Sequence, residues 1–166
     1  GSQNGVWKSS NGGTSWTKQT SAAYGAASFA NIVHFWDENE GISAGDPVGG
    51  VFEMYKTTNG GTNWTKITAA PPAAGDFGYT HVRFVRGNNI WMGTDTGRIL
   101  YSPDKGASWQ AFQSPAIDFG GVTVAGSFAV LDFKDASKGL LMTNDNDVVG
   151  LWETSDSGAN WTEVVP

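Results

Sequence analysis

Apolar residues occur along this chain in short runs, and clusters of Gly, Asn, Asp and Ser separate one run from the next. In the segment 30–68 these runs predict four strands, at about residues 30–36, 41–45, 51–57 and 63–68. Apolar residues nowhere show convincing helical spacing. The pattern therefore predicts an all-β protein made of short strands joined by turns.

A sequence motif occurs four times, at residues 9–16, 57–64, 102–109 and 154–161. Each copy reads Ser or Thr, any residue, Asn or Asp, any residue, Gly, any two residues, Trp. The closing Trp residues are 48, 45 and 52 residues apart along the chain. A period of this length is typical of the blades of a β-propeller.

Each position of the motif fits a turn between two strands. The Asn or Asp can accept hydrogen bonds from backbone N–H groups of the turn, the Gly suits a positive φ, and the Trp covers the turn. We therefore give these residues a structural role. They are Asn11, Gly13 and Trp16; Asn59, Gly61 and Trp64; Asp104, Gly106 and Trp109; and Asp156, Gly158 and Trp161.

A second repeated segment precedes three of the four motifs. Residues 34–46 align without gaps to residues 132–144, and residues 83–94 match with one residue fewer. Each segment predicts two strands and a polar turn, so a full repeat has four antiparallel strands, with the motif turn between the third and the fourth. A β-sandwich would not explain so regular a repeat.

The predicted organisation is an incomplete β-propeller of about three and a half blades. A half blade occupies residues 1–20, and full blades occupy 26–70, 78–113 and 126–166, all within one propeller. Because propellers typically close with about four to eight blades, we expect further blades from the same polypeptide or from partner chains.

The motif resembles the Asp-box, or BNR, repeat, although two of its four copies have Asn in place of Asp. The resemblance implies a propeller like those of sialidases, xyloglucan-degrading glycosidases, sortilin-type receptors and photosystem assembly factors. It also implies that the motif turns lie at the rim, away from any ligand. Residues 45–64 and 93–106 resemble propeller regions of secreted bacterial proteins exported by the type IX pathway, often labelled glycosyl-hydrolase-like. That resemblance implies a bacterial extracellular or cell-surface location.

Composition excludes several kinds of partner. The formal net charge of −6 opposes binding to nucleic acid, and no apolar stretch is long enough for membrane insertion. The chain has no Cys, and its two His residues lie far apart in sequence. We therefore expect no metal site based on Cys or His, and no cofactor except, as a weak possibility, Ca²⁺.

Catalysis is not predicted for this segment. Sialidases share a triad of arginines whose members come from separate blades. In this chain Arg83, Arg86 and Arg98 all belong to one predicted blade. The chain is thus interpreted as a non-catalytic extracellular binding or scaffold module. Two alternatives stay open: a fragment of a sialidase-like or xyloglucanase-like glycoside hydrolase with catalytic residues partly on missing blades, and a subunit of a surface assembly.

The predicted binding face collects the connections between second and third strands. These carry Asp46, Asp95, Asp145 and Asp147, and we add Tyr79 and Arg98 to the candidate binding residues. Carboxylates gathered on one face could hold Ca²⁺ or bind a glycan or a surface protein. The alternative is that these residues only form tight turns, and that Tyr24, Phe77 and Tyr79 pack between blades rather than stack on sugar rings.

Overall fold

The computed structural model describes residues 4–118, 123–125, 128–145 and 148–164. Its sixteen strands there are β1 (Trp7–Lys8), β2 (Thr17–Lys18), β3 (Ala30–Phe35), β4 (Gly41–Val48), β5 (Val51–Thr57), β6 (Thr65–Lys66), β7 (Tyr79–Arg86), β8 (Asn89–Thr94), β9 (Arg98–Ser102), β10 (Gln110–Gln113), β11 (Ala116–Asp118), β12 (Thr123–Ala125), β13 (Phe128–Phe133), β14 (Gly139–Asp145), β15 (Val148–Thr154) and β16 (Thr162–Glu163). Nowhere in these residues does a helix have the length and apolar character that crossing a membrane requires.

The strands form the sheets that the repeat predicts. Strands β3 to β6, β7 to β10 and β13 to β16 make three sheets of four antiparallel strands, each in chain order. Strands β1 and β2 make a two-stranded antiparallel sheet, which corresponds to the third and fourth strands of a blade. The all-β class and the four-stranded blades are thereby confirmed.

One hairpin was not predicted. Strands β11 and β12 pair with each other, with Ile117 opposite Val124, and their sheet has no other strand among the described residues. They lie in the connection between the second and third full blades. Because the other repeats have no counterpart, alignment of the repeats gives no signal for this hairpin.

The motif turn is held by a hydroxyl group at its first position. In the copy at 57–64, Thr57 Oγ1 accepts the N–H of Gly61 at 2.9 Å and donates to Asn59 Oδ1 at 3.1 Å. Asn59 Oδ1 also accepts the N–H of Asn63 at 2.9 Å, and the indole of Trp64 donates to the Gly61 carbonyl at 3.1 Å. Gly61 has a φ of +79°, which favours glycine.

The other three copies repeat the hydroxyl contacts. In each of them the hydroxyl accepts the N–H of the motif Gly at 2.8–3.1 Å and donates to the side chain of the motif Asn or Asp at 2.8–3.0 Å. The three sets are Ser9 with Gly13 and Asn11, Ser102 with Gly106 and Asp104, and Thr154 with Gly158 and Asp156. The sequence motif contains this Ser or Thr, but the pattern alone did not indicate that its hydroxyl joins the two ends of the turn.

A further hydrogen bond joins each full blade's motif turn to the turn between its first two strands. The residue after the motif Asn or Asp donates its backbone N–H to a carbonyl of that other turn. The pairs are Gly60 to Asn39 at 2.9 Å, Lys105 to Asn88 at 2.8 Å and Ser157 to Ser137 at 2.9 Å. These bonds therefore join the hairpin of a blade's first two strands, the inner hairpin, to the hairpin of its last two strands, the outer hairpin, at one end of the blade.

The chain divides into two compact units, Gly1–Ala74 and Gly75–Pro166. In the first unit, Ala22, Tyr55 and Trp64 form a buried cluster against which Val6 and Tyr24 pack. The rings of Tyr24 and Tyr55 meet edge to face with centroids 4.8 Å apart. This cluster joins the half blade to the first full blade.

In the second unit the core lies between two full blades. Trp91 of β8 stacks on Phe133 of β13, with ring centroids 3.8 Å apart and planes 11° from parallel. The indole of Trp91 donates to the Ser157 carbonyl at 2.8 Å, and Ile99 and Leu141 are fully buried in the same cluster. Aromatic stacking therefore links the two blades.

Each unit also exposes apolar side chains. On the third full blade, the side chains of Val130, Leu140 and Met142 are 40–50% exposed, whereas Leu141 between the last two is buried. We call these three residues the open face. In the half blade, Trp7 and Trp16 are 40% and 59% exposed.

Replacing Trp64 with Ala should lower the free energy of unfolding by about 3–5 kcal/mol, because this Trp is only 4% exposed and covers its turn. Trp16 occupies the same motif position but is 59% exposed, so Trp16→Ala should cost less than about 1 kcal/mol. Urea unfolding of both variants measures the difference. Equal losses would show that burial of the motif Trp does not set its contribution.

Candidate functional site

The first and second full blades each carry a candidate site of their own, built from two segments: the connection before the first strand and the turn between the second and third strands. We call these two segments a loop pair. In the first full blade they are residues 25–29 and 46–50, and in the second full blade residues 75–78 and 95–97.

In the second full blade, Asp95 fixes the connection to the turn. Its carboxylate accepts the N–H of Phe77 at 3.0 and 3.2 Å and the N–H of Gly78 at 3.3 Å. The backbone N–H of Asp95 in turn donates to the Gly78 carbonyl at 3.2 Å. The predicted binding residue Asp95 thus holds the backbone of the loop pair.

Asp76 lies beside it and was not predicted. Its side chain is inaccessible to solvent and accepts hydrogen bonds from Arg98 Nη1 at 2.8 Å, from Thr94 Oγ1 at 2.9 Å and from Thr96 Oγ1. The Arg98 side chain is only 12% exposed. The predicted binding residue Arg98 therefore has its guanidinium occupied by a buried carboxylate.

Phe77 lies in sequence between Asp76 and Gly78, both of which are held by hydrogen bonds, and its side chain is exposed to solvent. Its side chain is 87% exposed, although its backbone N–H is held by Asp95. Tyr79, the first residue of β7, pairs in register with Thr94 and is half-buried. The loop pair thus presents one exposed aromatic ring on a backbone fixed by hydrogen bonds.

The first full blade has the same arrangement with different residues. The N–H of Asp46 donates to the Phe29 carbonyl at 3.0 Å, and the Ser28 hydroxyl donates to the Asp46 carbonyl at 2.9 Å. The Asp46 carboxylate accepts a hydrogen bond from the Asn31 amide. Phe29, which was not predicted as a site residue, is 69% exposed.

A buried acid supports this loop pair too. Glu53 of β5 is 4% exposed and accepts the N–H of Gly25 at 2.6 Å and the ammonium of Lys66 at 2.9 Å. The hydrogen bond to Glu53 raises the pKa of Lys66, and burial raises the pKa of both Tyr24 and Tyr55. The Tyr24 hydroxyl lies 2.7 Å from Ser43 Oγ.

In the third full blade, part of the corresponding turn lies outside the described residues. Asp145 is the last residue of β14, and Asp147 lies outside the described residues. Across the described part of the chain, no three His, Asp or Glu side chains gather in a group that could hold a metal ion. The structure places Asp46 in the first unit and Asp95, Arg98 and Tyr79 in the second.

Two cavities lie away from the loop pairs. One of about 700 Å³ adjoins the open face and is lined by Arg86, Lys134, Lys138, Asp132 and Glu153, among others. The other, of about 430 Å³, lies between the half blade and the first full blade, and includes Trp7, Trp16, Val33 and Phe35. Both cavities adjoin apolar side chains that are partly exposed.

Comparison with known proteins now identifies the family. The family model described as photosynthesis system II assembly factor YCF48 matches residues 1–128 of the 166. The chain belongs to this family. No curated protein matches it.

Solved structures of YCF48 share the fold. YCF48 bound to a D1 peptide is 24% identical with a TM-score of 0.52, and the match covers 82% of this chain and 39% of that one. YCF48 from Cyanidioschyzon merolae is 16% identical with a TM-score of 0.54, covering 84% and 38%. The xyloglucanase of glycoside hydrolase family 74 from Xanthomonas campestris is 16% identical with a TM-score of 0.60, covering 97% and 27%.

These matches confirm that the chain is a BNR-type propeller with an incomplete set of blades. This YCF48-family chain spans less than two-fifths of the length of each of the three solved chains. Because the xyloglucanase is only 16% identical to this chain, its similarity shows that the two share a fold and shows nothing about activity.

The buried pair of Asp76 and Arg98 gives a prediction about this YCF48-family chain. Asp76→Ala leaves the Arg98 guanidinium without its carboxylate and should lower the free energy of unfolding by about 3–5 kcal/mol. In a double-mutant cycle with Arg98→Ala, the loss in the double variant should be well below the sum of the single losses. Additive losses, measured by urea unfolding, would contradict a direct coupling between the two side chains.

Proposed function

We propose that this chain is one sector of a β-propeller that acts as a non-catalytic scaffold and binds a segment of another protein. Each loop pair is a binding site within its own unit. The observation that carries the proposal is the exposure of Phe77 and Phe29 on connections whose backbone is held by hydrogen bonds.

Exposed aromatic rings on a preorganised backbone suit protein recognition. Aromatic side chains dominate the energetics of protein interfaces, because they bury large apolar areas and lose few rotamers on binding. A loop that is already ordered also loses less entropy when a partner binds. Asp95 and the buried Asp76 supply this order around Phe77, and Ser28 and Asp46 supply it around Phe29.

Family membership supports a protein ligand over a glycan. The relative YCF48 has been solved with a D1 peptide bound, and the family description is that of an assembly factor. A peptide has apolar side chains that can cover an exposed Phe ring. We therefore propose that this chain holds an extended protein segment while a larger complex assembles.

Binding of a fluorescently labelled D1 peptide tests this proposal. Fluorescence anisotropy should rise on titration with the 166-residue chain, and the dissociation constant should increase at least tenfold for Phe77→Ala or Phe29→Ala, about 1.4 kcal/mol or more. Trp16→Ala, which removes an exposed aromatic ring from a motif turn, is the matched control and should bind as the wild type does. A scrambled peptide controls for composition.

Two results would overturn the proposal. One is unchanged affinity in both Phe variants together with a loss in Trp16→Ala, which would move the binding surface to the motif turns. The other is the absence of binding to the D1 peptide and to an unbiased peptide display library. Circular dichroism of each variant shows that it remains folded.

We also propose that further blades cover the open face and complete the half blade. In the second unit, the stacking of Phe133 on Trp91 shows how one blade covers the next, and Val130, Leu140 and Met142 lack such cover in the described structure. Intact mass measured on the native polypeptide should exceed the 17.6 kDa of these residues. A native chain of 17.6 kDa that stays monomeric would contradict this part of the proposal.

The location of the protein is a separate proposal that rests on resemblance to secreted bacterial propellers. We propose an extracellular or cell-surface position. Detection of the native polypeptide in the medium or on intact cells would support it, and confinement to the cell interior would overturn it.

A further inference from the structure

The outer strand of the second full blade differs from the outer strands of the other blades. Strand β10 (Gln110–Gln113) has four residues, whereas β2, β6 and β16 have two residues each in the described structure. Strand β10 pairs with β9 on one side, and no described strand pairs with its other side. Blades of a propeller pack face to face, so a neighbouring blade does not cover this outer edge.

The hydrogen bonds of β10 show which of its backbone groups face outward. The N–H of Ser114, just after the strand, donates to the Gly97 carbonyl of the same blade at 2.9 Å. In an antiparallel ladder, every second residue exchanges hydrogen bonds with the neighbouring strand. Counted back from Ser114, the residues in between are Ala111 and Gln113, so their backbone N–H and C=O groups face outward.

The other three repeats carry a charged residue where this blade has Ala111. Counted from the motif Trp, the aligned residues are Lys18, Lys66 and Glu163. Their backbone groups also face outward, since the next residue of each strand donates its N–H into its own blade at 2.8 Å. A charged residue on an edge strand opposes pairing with another strand. Because the three charges differ in sign, the shared feature is charge itself, which β10 lacks.

From these observations we infer that β10 is a dimerisation edge, which pairs antiparallel with β10 of a second copy of this chain. A two-fold axis beside Phe112 places Ala111 of each copy opposite Gln113 of the other. Each of these pairs exchanges two backbone hydrogen bonds, which satisfies the outward groups of the strand in both copies. The inference does not depend on the proposed function.

A row of aromatic rings leads to this edge. Trp91 of β8 stacks on Tyr101 of β9 with ring centroids 5.1 Å apart, and Tyr101 stacks on Phe112 with centroids 6.1 Å apart. Phe112 is half-buried, and no described strand beyond β10 extends the row. In the proposed pair the two Phe112 residues lie opposite each other without hydrogen bonds between them, where cross-strand side chains are closest. The second copy therefore continues the row.

The length of the edge favours a second copy over a longer strand of another protein. The N–H of Ser114 is bound by Gly97, and Pro115 is buried and has no N–H group. A longer strand would therefore find no backbone donor just beyond Gln113. A second β10 has the length of the available edge and adds no charge to it. So short an interface predicts a weak dimer.

Sedimentation equilibrium of the 166-residue chain tests the inference. In about 0.15 M salt, which screens the net charge of −6 on each copy, the wild type should dimerise at about 100 μM protein. Ala111→Lys introduces an edge charge like those of the other repeats and should raise the dimer dissociation constant about tenfold or more. Ala107→Lys is the matched control, because it adds the same charge at an exposed position of the motif turn. It should dimerise as the wild type does.

Disulfide formation measures the register of the pair. The chain has no Cys, and opposite residues without hydrogen bonds between them have Cα atoms about 4.5 Å apart, which suits a disulfide. Under mild oxidation Phe112→Cys should therefore give a covalent dimer. Gln110→Cys, on the same strand, should not, because in this register the two copies of position 110 are about 14 Å apart.

Three results would each overturn the inference. The first is a chain that stays monomeric over the whole concentration range. The second is a dimer that Ala111→Lys weakens no more than Ala107→Lys does, which would place the contact elsewhere, as on the open face. The third is a disulfide that forms no faster in Phe112→Cys than in Gln110→Cys. Circular dichroism shows that each variant is folded.

Discussion

A hydroxyl group at the start of each motif turn is the contact on which the described architecture depends. Thr57 and its three counterparts bond to the N–H of a Gly four residues later and to the side chain of the Asn or Asp between them. The closed turn then directs one backbone N–H outward, and in each full blade a carbonyl of the inner hairpin accepts it. One short segment therefore shapes the outer hairpin and anchors the inner one.

The sequence predicted what is local and missed what depends on distant partners. The motif residues interact within eight positions of one another, so their spacing predicts the turn without knowledge of the fold. Asp76 was missed because its partners Thr94, Thr96 and Arg98 lie 18 to 22 residues away. The pairing of Arg98 with this buried carboxylate was missed for the same reason. The exposure of Phe29 likewise depends on how its connection folds against Asp46.

The buried acids explain why the loop pairs can be both ordered and exposed. Asp76 binds the guanidinium of Arg98, and Glu53 binds the ammonium of Lys66 and the backbone N–H of Gly25. Because these bonds fix the connections, the aromatic side chain on each connection does not have to pack against the core to keep the backbone ordered. Apolar cores and buried charges therefore hold the blades, while the side chains of Phe77 and Phe29 stay exposed.

Hydrogen–deuterium exchange of the chain with and without the D1 peptide most directly tests whether the loop pairs are the binding surface. We predict that the peptide slows exchange of amides in 25–29, 46–50, 75–78 and 95–97, and leaves the motif turns at 57–64 and 102–109 unchanged. Slowed exchange confined to the motif turns, or to strands β13 and β14 beside the open face, would contradict a scaffold that recognises proteins through its loop pairs.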